Sequence, residues 1–225
     1  MKLKTLGLIH TSATLVPIFQ KLCSDLLPDV SVFNIVDDSL IKDVIAKNQL
    51  TNHTARRVVN HVGSAEDAGA DLIMVTCSSI GAAVEASAKL TNVPVLRVDQ
   101  AMAEQAVQTG SRIGVIATLP TTLEPTSDLV RRMALRAGKE IDLTAKLCEG
   151  AFDALMTGDP EKHDEMVSKA LIELSKNVDV IVLAQASMSR VVETLAPEDK
   201  IVPILASPGI AVAHIAELRK ASIYE

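Results

Sequence analysis

Tryptophan is absent from this 225-residue chain, which has only one tyrosine and three phenylalanines. A core without large rings has to be assembled from Ala, Val, Leu and Ile. That suits α/β layers better than a β-sandwich and argues against aromatic stacking as a binding mode. Cysteine is scarce too. Cys23, Cys77 and Cys148 are odd in number and far apart, which excludes a disulfide framework and the spacing of a zinc site. No cluster of Lys and Arg interleaved with aromatics is present, and the formal charge is −6. Nucleic acid is therefore not an expected partner, because such binding rests on neutralising phosphates. A small anion remains compatible, since a local site can oppose the net charge. No apolar run is long enough to cross a bilayer. The apolar stretch Leu6–Ile9 is closed by His10-Thr11-Ser12 too early for a signal peptide. The expectation is a cytoplasmic protein with no membrane partner.

Short apolar runs alternate with longer helical patterns along the whole chain. Leu6–Ile9, Val30–Val36, Asp71–Thr76 and Val93–Val98 read as strands, and Leu15–Leu27, Thr54–Ala68 and Gly81–Thr91 as helices. Alternating β and α elements imply a parallel sheet with helices on both faces, and uninterrupted apolar strands fit a sheet buried on both sides. The pattern then restarts. Gly7-Leu8-Ile9-His10-Thr11 matches Gly114-Val115-Ile116-Ala117-Thr118, and Asp71 to Ser79 matches Asp179 to Ser187. Val93-Pro94-Val95-Leu96 matches Val202-Pro203-Ile204-Leu205. Three matches in the same order at nearly the same offset indicate an internal duplication.

The expected fold is therefore α/β and three-layered, with two pseudo-symmetric parallel-sheet halves facing a central cleft. The first half is expected over residues 1–98 with the C-terminal helix 207–225 returned to it, and the second over residues 99–206. Open parallel sheets bind ligands at the carboxyl ends of their strands. The residues that follow each strand are the candidates: His10-Thr11-Ser12, Cys77-Ser78-Ser79, Thr118 to Thr122, Cys148-Glu149-Gly150 and Gln185-Ala186-Ser187.

Val75-Thr76-Cys77-Ser78-Ser79-Ile80-Gly81 is the most informative of these segments. A strand ends, a thiol and hydroxyls follow, and a helix begins. A thiol at a helix amino terminus is expected to have a lowered pKa. Ser78, Ser79 and the free N–H groups beside them suit a carboxylate. A thiolate next to a bound carboxylate is placed to move a proton at the adjacent carbon. The plainer reading makes Cys77 a small buried residue and Ser79 an ordinary helix cap. Cys23 and Cys148 are expected to pack. His10 is as readily a satisfied partner of backbone groups as a catalytic acid, and His53, His61, His163 and His214 look like surface residues.

These segments resemble the aspartate/glutamate/hydantoin racemase superfamily. The resemblance rests on Gly7 to Thr11, the Cys77 turn, Gly114 to Thr122, and Ile181-Val182-Leu183-Ala184-Gln185-Ala186-Ser187-Met188, the last two being closest to the hydantoin and allantoin racemase branch. It implies an enzyme that uses no pyridoxal phosphate or other cofactor and no metal, with one cysteine from each half flanking the carbon beside a small substrate's carboxylate. It makes Cys77 the first of these. It places Thr76, Ser78, Thr118 and Thr121 at the carboxylate, with His10 and Thr11 lining the pocket beside them. Ser79 and Ser187 complete the candidate substrate-binding set. Homo-oligomers, dimers above all, are common in proteins of this kind.

The chain departs from the two-cysteine pattern at Gln185, which the duplication sets opposite Cys77. An amide is neither acid nor base at neutral pH. Besides racemisation, the resemblance therefore leaves open a single-thiol decarboxylase or lyase, a cis-trans isomerase with Cys77 as nucleophile, and another second acid such as Cys148 or His10. A non-catalytic carboxylate-binding protein is the alternative from a different class.

Overall fold

A computed structural model describes residues 3–221. The expectations that fall on residues 1–2, at the start of the chain, and on 222–225, at the end of the segment 207–225, lie outside the described residues. The chain divides into two compact units, residues 1–100 with 208–225 and residues 101–207.

The first unit runs β1 (Thr5–His10), α1 (Leu15–Leu26), β2 (Ser31–Val36), α2 (Ser39–Lys47), α3 (Asn52–Asp67), β3 (Leu72–Val75), α4 (Gly81–Ser87) and β4 (Val95–Arg97). Its sheet is parallel, in the order β2-β1-β3-β4. Side chains of successive strand residues point to opposite faces, and the two cores follow that period. Leu6, Leu8, Leu72 and Met74 pack with Phe19 and Cys23 of α1 and with Val212 and Ile215. Ile9, Ile73 and Val75 pack on the other face with Leu40 and Val44 of α2, Val58 and Val62 of α3, and Ala83 and Val84 of α4.

The second unit repeats the plan after α5 (Gln100–Thr109). It runs β5 (Arg112–Ala117), α6 (Pro120–Arg136), β6 (Asp142–Leu147), α7 (Ala151–Met156), α8 (Pro160–Ser175), β7 (Val180–Leu183), α9 (Ser189–Thr194) and β8 (Ile204–Ala206). Its parallel sheet has the order β6-β5-β7-β8. The last helix, α10 (Ser207–Ala221), carries Val212 and Ile215 into the core of the first unit.

Two devices occur once in each unit. The first is a carboxylate clamp at the start of the central strand. Asp71 Oδ2 accepts the N–H groups of Lys4 and Thr5, both at 2.8 Å. Asp179 Oδ2 accepts those of Ser111 and Arg112 at 3.1 and 2.8 Å, and its Oδ1 takes Arg112 Nε and Nη2 at 3.0 and 2.6 Å. The second is a glycine in the central strand. A Cβ at Gly7 would lie 3.1 Å from Phe33 and 3.2 Å from Ala70, and one at Gly114 would lie 2.8 Å from Leu174 of α8. The missing side chain lets the crossover segment settle close to the sheet.

Within the first unit the helices differ from the sequence expectation at α2 and α4. Helix α2 was not anticipated; its nine residues bury only Leu40 and Val44, one turn apart, and end at Asn48 in the left-handed region. Helix α4 stops at Ser87 instead of reaching Thr91. Glu66 of α3 accepts the Thr91 hydroxyl at 2.6 Å and the Asn92 N–H at 2.9 Å, which holds that stretch as a turn.

Two outcomes follow for stability. Gly114→Ala overpacks the Leu174 contact and is expected to cost about 1–3 kcal/mol, whereas Gly63→Ala, in α3 with nothing within 4 Å of the new Cβ, gains up to about 1 kcal/mol. Urea midpoints of the two variants should move in opposite directions. The backbone and side chain of Arg112 hold the Asp179 carboxyl down to about 2, against an ordinary 3.8. Its contribution is present above the ordinary value and is lost as the pH falls toward 2. Urea titrations from neutrality down to about pH 2.5 should show Asp179→Asn with a shallower acid-induced loss of stability than the parent.

Candidate active site

In the first unit the register of β1 with β3 brings the two strand-end loops side by side. Ile9 pairs with Val75, and the Thr76 N–H donates to the Ile9 carbonyl at 2.9 Å. His10, Thr11, Thr76, Cys77, Ser78 and Ser79 therefore gather at the carboxyl edge of one sheet. All are buried except Cys77, which keeps intermediate exposure. Cys77 is extended, with φ −134° and ψ 117°, and a single 3-10 turn, Ser78–Ile80, leads into α4.

The Thr11 hydroxyl, the N–H groups of Ser79 and Ile80 and the Ser79 hydroxyl all favour the thiolate of Cys77. Burial outweighs them and pushes the thiol above its ordinary value. This corrects the expectation of a lowered pKa. The turn does aim donors at the sulfur, but α4 is only seven residues long, and loss of water penalises the charged form more than the donors favour it. At rest Cys77 is a protonated thiol surrounded by groups ready to receive its anion.

His10 is fully buried. Its Nε2 lies 2.9 Å from Asn34 Oδ1 and its Nδ1 lies 2.8 Å from the Thr76 hydroxyl. With Nε2–H donating to the Asn34 oxygen, Nδ1 accepts from Thr76. Burial lowers the His10 pKa, so the ring is neutral near pH 7, with both nitrogens occupied within the fold. The Thr76 hydroxyl also lies 3.2 Å from the Ile9 carbonyl. The structure thus commits His10 and Thr76 to each other, and Asn34, which the sequence did not single out, completes the set.

The second unit repeats the geometry with a different side chain. Ile116 pairs with Leu183, and the Ala184 N–H donates to the Ile116 carbonyl at 3.0 Å. Gln185 then occupies the Cys77 position, extended at φ −133° and ψ 134° before its own 3-10 turn, Ala186–Met188. Thr118 sits beside it as Thr11 sits beside Cys77. Its N–H and hydroxyl donate to Gln185 Oε1 at 2.6 and 3.0 Å. A backbone N–H can only donate, so the amide oxygen must face Thr118, and Nε2 is left as a donor with two hydrogens. Thr121 lies in the first turn of α6, not in a loop. Its hydroxyl is buried with no protein partner. Ser187 is exposed.

Other candidates sort differently. Cys23 and Cys148 lie in apolar clusters and burial pushes each thiol up to about 11. His163, expected at the surface, is fully buried on α8; its Nδ1 lies 2.6 Å from Asp164, which also accepts from Arg190 at 2.7 Å. Among the described residues no group of three His, Cys, Asp or Glu side chains is arranged to hold a metal ion, and no helix is long and apolar enough to cross a membrane. The sequence reading also passed over an ion cluster beside the Cys77 turn, with Arg97 and Asp99 buried and Glu85 partly exposed. Arg97, at the end of β4, donates Nε and Nη2 to Asp99 at 2.9 and 2.8 Å and Nη1 to Glu85 of α4 at 2.6 Å. Its signal was present: a charged residue ends a strand in which apolar side chains were expected.

Solved structures with the same fold include glutamate racemase from Francisella tularensis in complex with D-glutamate (14% identity, TM-score 0.75, covering 99% of this chain and 83% of that one). Aspartate racemase from Picrophilus torridus aligns at 13% identity and TM-score 0.71, covering 95% and 94% of the two chains. Allantoin racemase from Klebsiella pneumoniae aligns at 17% identity and TM-score 0.65, covering 97% and 88%. Comparison with curated protein sequences gave no match. The sequence model of the family described as Asp/Glu/Hydantoin racemase matches residues 6–215, almost the whole chain. With the duplicated α/β plan and the paired strand-end turns, this match makes the chain a member of the Asp/Glu/hydantoin racemase family.

Proposed function

We propose that this protein is a cofactor-independent isomerase of the racemase type, acting at the carbon next to a carboxylate of a small substrate, with Cys77 as its one proton-transferring thiol. The observation that carries this reading is the pairing of Thr11 with Cys77 in one unit and of Thr118 with Gln185 in the other. A threonine at the equivalent position serves a thiol in the first turn and an amide in the second.

In the forward direction the α-proton moves to the Cys77 sulfur as the C–H electron pair passes into the carboxylate to form an enolate. Cys77 first gives its own proton to solvent water, and the resulting thiolate, favoured by the N–H groups of Ser79 and Ile80, is what receives the α-proton and becomes a thiol again. The Ser78 hydroxyl at the same turn is a donor of the kind that stabilises a developing enolate, usually the largest catalytic term in such chemistry. Gln185 cannot itself return a proton, so inversion requires a second proton donor other than this amide.

A second reading is favoured by the protonated resting state of Cys77. A thiol that holds its proton at neutrality suits protonation of a carbanion released by decarboxylation, as in a malonate-type substrate. Both readings use the same sulfur and differ in what leaves the carbon.

The test is proton NMR in D2O with aspartate, glutamate, hydantoins, aryl- and alkylmalonates and maleate. Loss of an α-proton signal, or appearance of a decarboxylated or isomerised product, is expected with the parent protein. Cys77→Ser should lower the rate about 10²- to 10⁴-fold, the usual worth of a positioned acid or base. Inversion accompanying exchange is the result expected of an isomerase; exchange without inversion would mean that Gln185 has cost the protein its second acid, and Gln185→Cys should then bring inversion with it. Silence across the panel at high protein concentration would move the assignment to a carboxylate-binding protein. Because burial raises the thiol above 9.0, alkylation of Cys77 by iodoacetamide should still be climbing at that pH, and a plateau near neutrality would contradict this account of the site.

A further inference from the structure

We infer that Arg97 is a positioning residue that holds the Cys77 turn against the end of β4 and so sets the reactivity of the Cys77 thiol. The inference rests on the reading of Cys77 as the reactive group, and it follows from where the guanidinium lies. Arg97 pairs with Val75 across β3 and β4, so it points to the same face of the sheet as Val75 and, two residues on, Cys77. Ile73, Val75 and Val95 fill that face with apolar contacts. Arg97 ends the row with a charge.

The guanidinium lies under the first residue of α4. A Cβ at Gly81 would fall 2.3 Å from Arg97 Cζ and 2.5 and 2.6 Å from its two terminal nitrogens. The glycine is what allows the start of α4 to rest on the guanidinium. The charge cannot swing away, because Asp99 grips it through two nitrogens and Glu85, one turn along α4, holds the third. The Arg97 and Asp99 side chains are 5% and 0% exposed. Arg97 thus ties β4 to the helix whose preceding residues, Ser79 and Ile80, offer their N–H groups to the thiol.

The duplication supplies an internal control. In the second unit the β4 partner of Val75 corresponds to Ala206, which pairs with Leu183. Gly81 corresponds to Ser189, the residue that follows the 3-10 turn after Gln185. The turn that carries the thiol has the arginine and the glycine, and the turn that carries the amide has neither. A buried ion pair is weak evidence for stability alone, since apolar side chains of similar volume often do as well. Its presence beside only the reactive turn fits a role in positioning.

The charged and titratable groups beside this turn are Arg97 and Asp99 after β4, Glu85 on α4, and His10 on β1. Helix α2 packs on the turn with Leu40 and Val44, which share a cluster with Ile80. Displacing the guanidinium leaves the Asp99 carboxylate facing the turn and loosens the Ser79 and Ile80 donors. Both changes disfavour the thiolate.

The experiment is alkylation of the intact protein by iodoacetamide across pH, with each cysteine followed separately by mass spectrometry. No substrate is needed. Arg97→Met strands Asp99 and endangers folding, so Arg97→Lys and Gly81→Ala carry the test, with Glu85→Gln as a milder third variant. The expected result is slower labelling of Cys77 by about threefold or more near pH 8, equivalent to an upward displacement of its profile by about half a pH unit, while Cys23 and Cys148 stay unlabelled as in the parent. General loosening would expose Cys23 and Cys148 together with Cys77, and that result overturns the inference. So does a parental profile in folded Arg97→Lys and Gly81→Ala, or a profile displaced downward. Deuterium exchange by the parent protein reports separately on the proposed activity, so positioning by Arg97 and catalysis by Cys77 can fail independently.

Discussion

The register between the central strand of each sheet and its neighbour is the constraint on which the rest depends. Asp71 and Asp179 each seize two consecutive backbone N–H groups where the central strand begins. Parallel pairing then carries that alignment to the far end, where Ile9 meets Val75 and Ile116 meets Leu183. A slip of one residue would turn every side chain to the other face. Thr11 would lose Cys77 and Thr118 would lose Gln185. The clamp and the site lie at opposite ends of the same strands, and the glycines between them, Gly7 and Gly114, let the crossover segments lie close enough to bury both sheets.

The two strand-end turns show what duplication preserves and what it releases. The backbone is kept almost to the degree: φ is −134° at Cys77 and −133° at Gln185, and each residue precedes a three-residue 3-10 turn. The adjacent threonine is kept too. The functional group is not. In one turn the threonine hydroxyl supports a thiol, and in the other the same residue fixes an amide through its oxygen. A scaffold of this kind separates geometry from chemistry. The backbone determines where a group is presented, and a single side chain determines whether it can carry a proton.

Burial sets the electrostatics of the first turn. Four donors around the Cys77 sulfur are not enough to overcome loss of water, and the same loss keeps His10 neutral. A site whose titratable groups rest uncharged holds its donors unspent until an anion forms or arrives. Beside the turn, Arg97 is held by the Asp99 and Glu85 carboxylates.

Much of this was legible in the sequence. The β/α alternation, the repeat, the candidate turns and the replacement at Gln185 are local patterns, because strand period, apolar runs and residues after a strand do not need a partner to be read. Family membership rested on the same segments. What only the tertiary structure decided depends on residues far apart in the chain. Whether Cys77 is thiol or thiolate follows from the density of atoms around it, which no helix-end rule supplies. Whether His10 was a satisfied partner or a catalytic acid stayed open in the sequence until Asn34 and Thr76 were found at its two nitrogens, 24 and 66 positions away. His163 looked like a surface residue until α8 turned it inward. Arg97 gained its meaning only from the space that Gly81 leaves. The sequence determined which groups stand at the strand ends; folding determined what surrounds each one, and hydration, hydrogen bonding and contact, which control proton affinity, are properties of those surroundings.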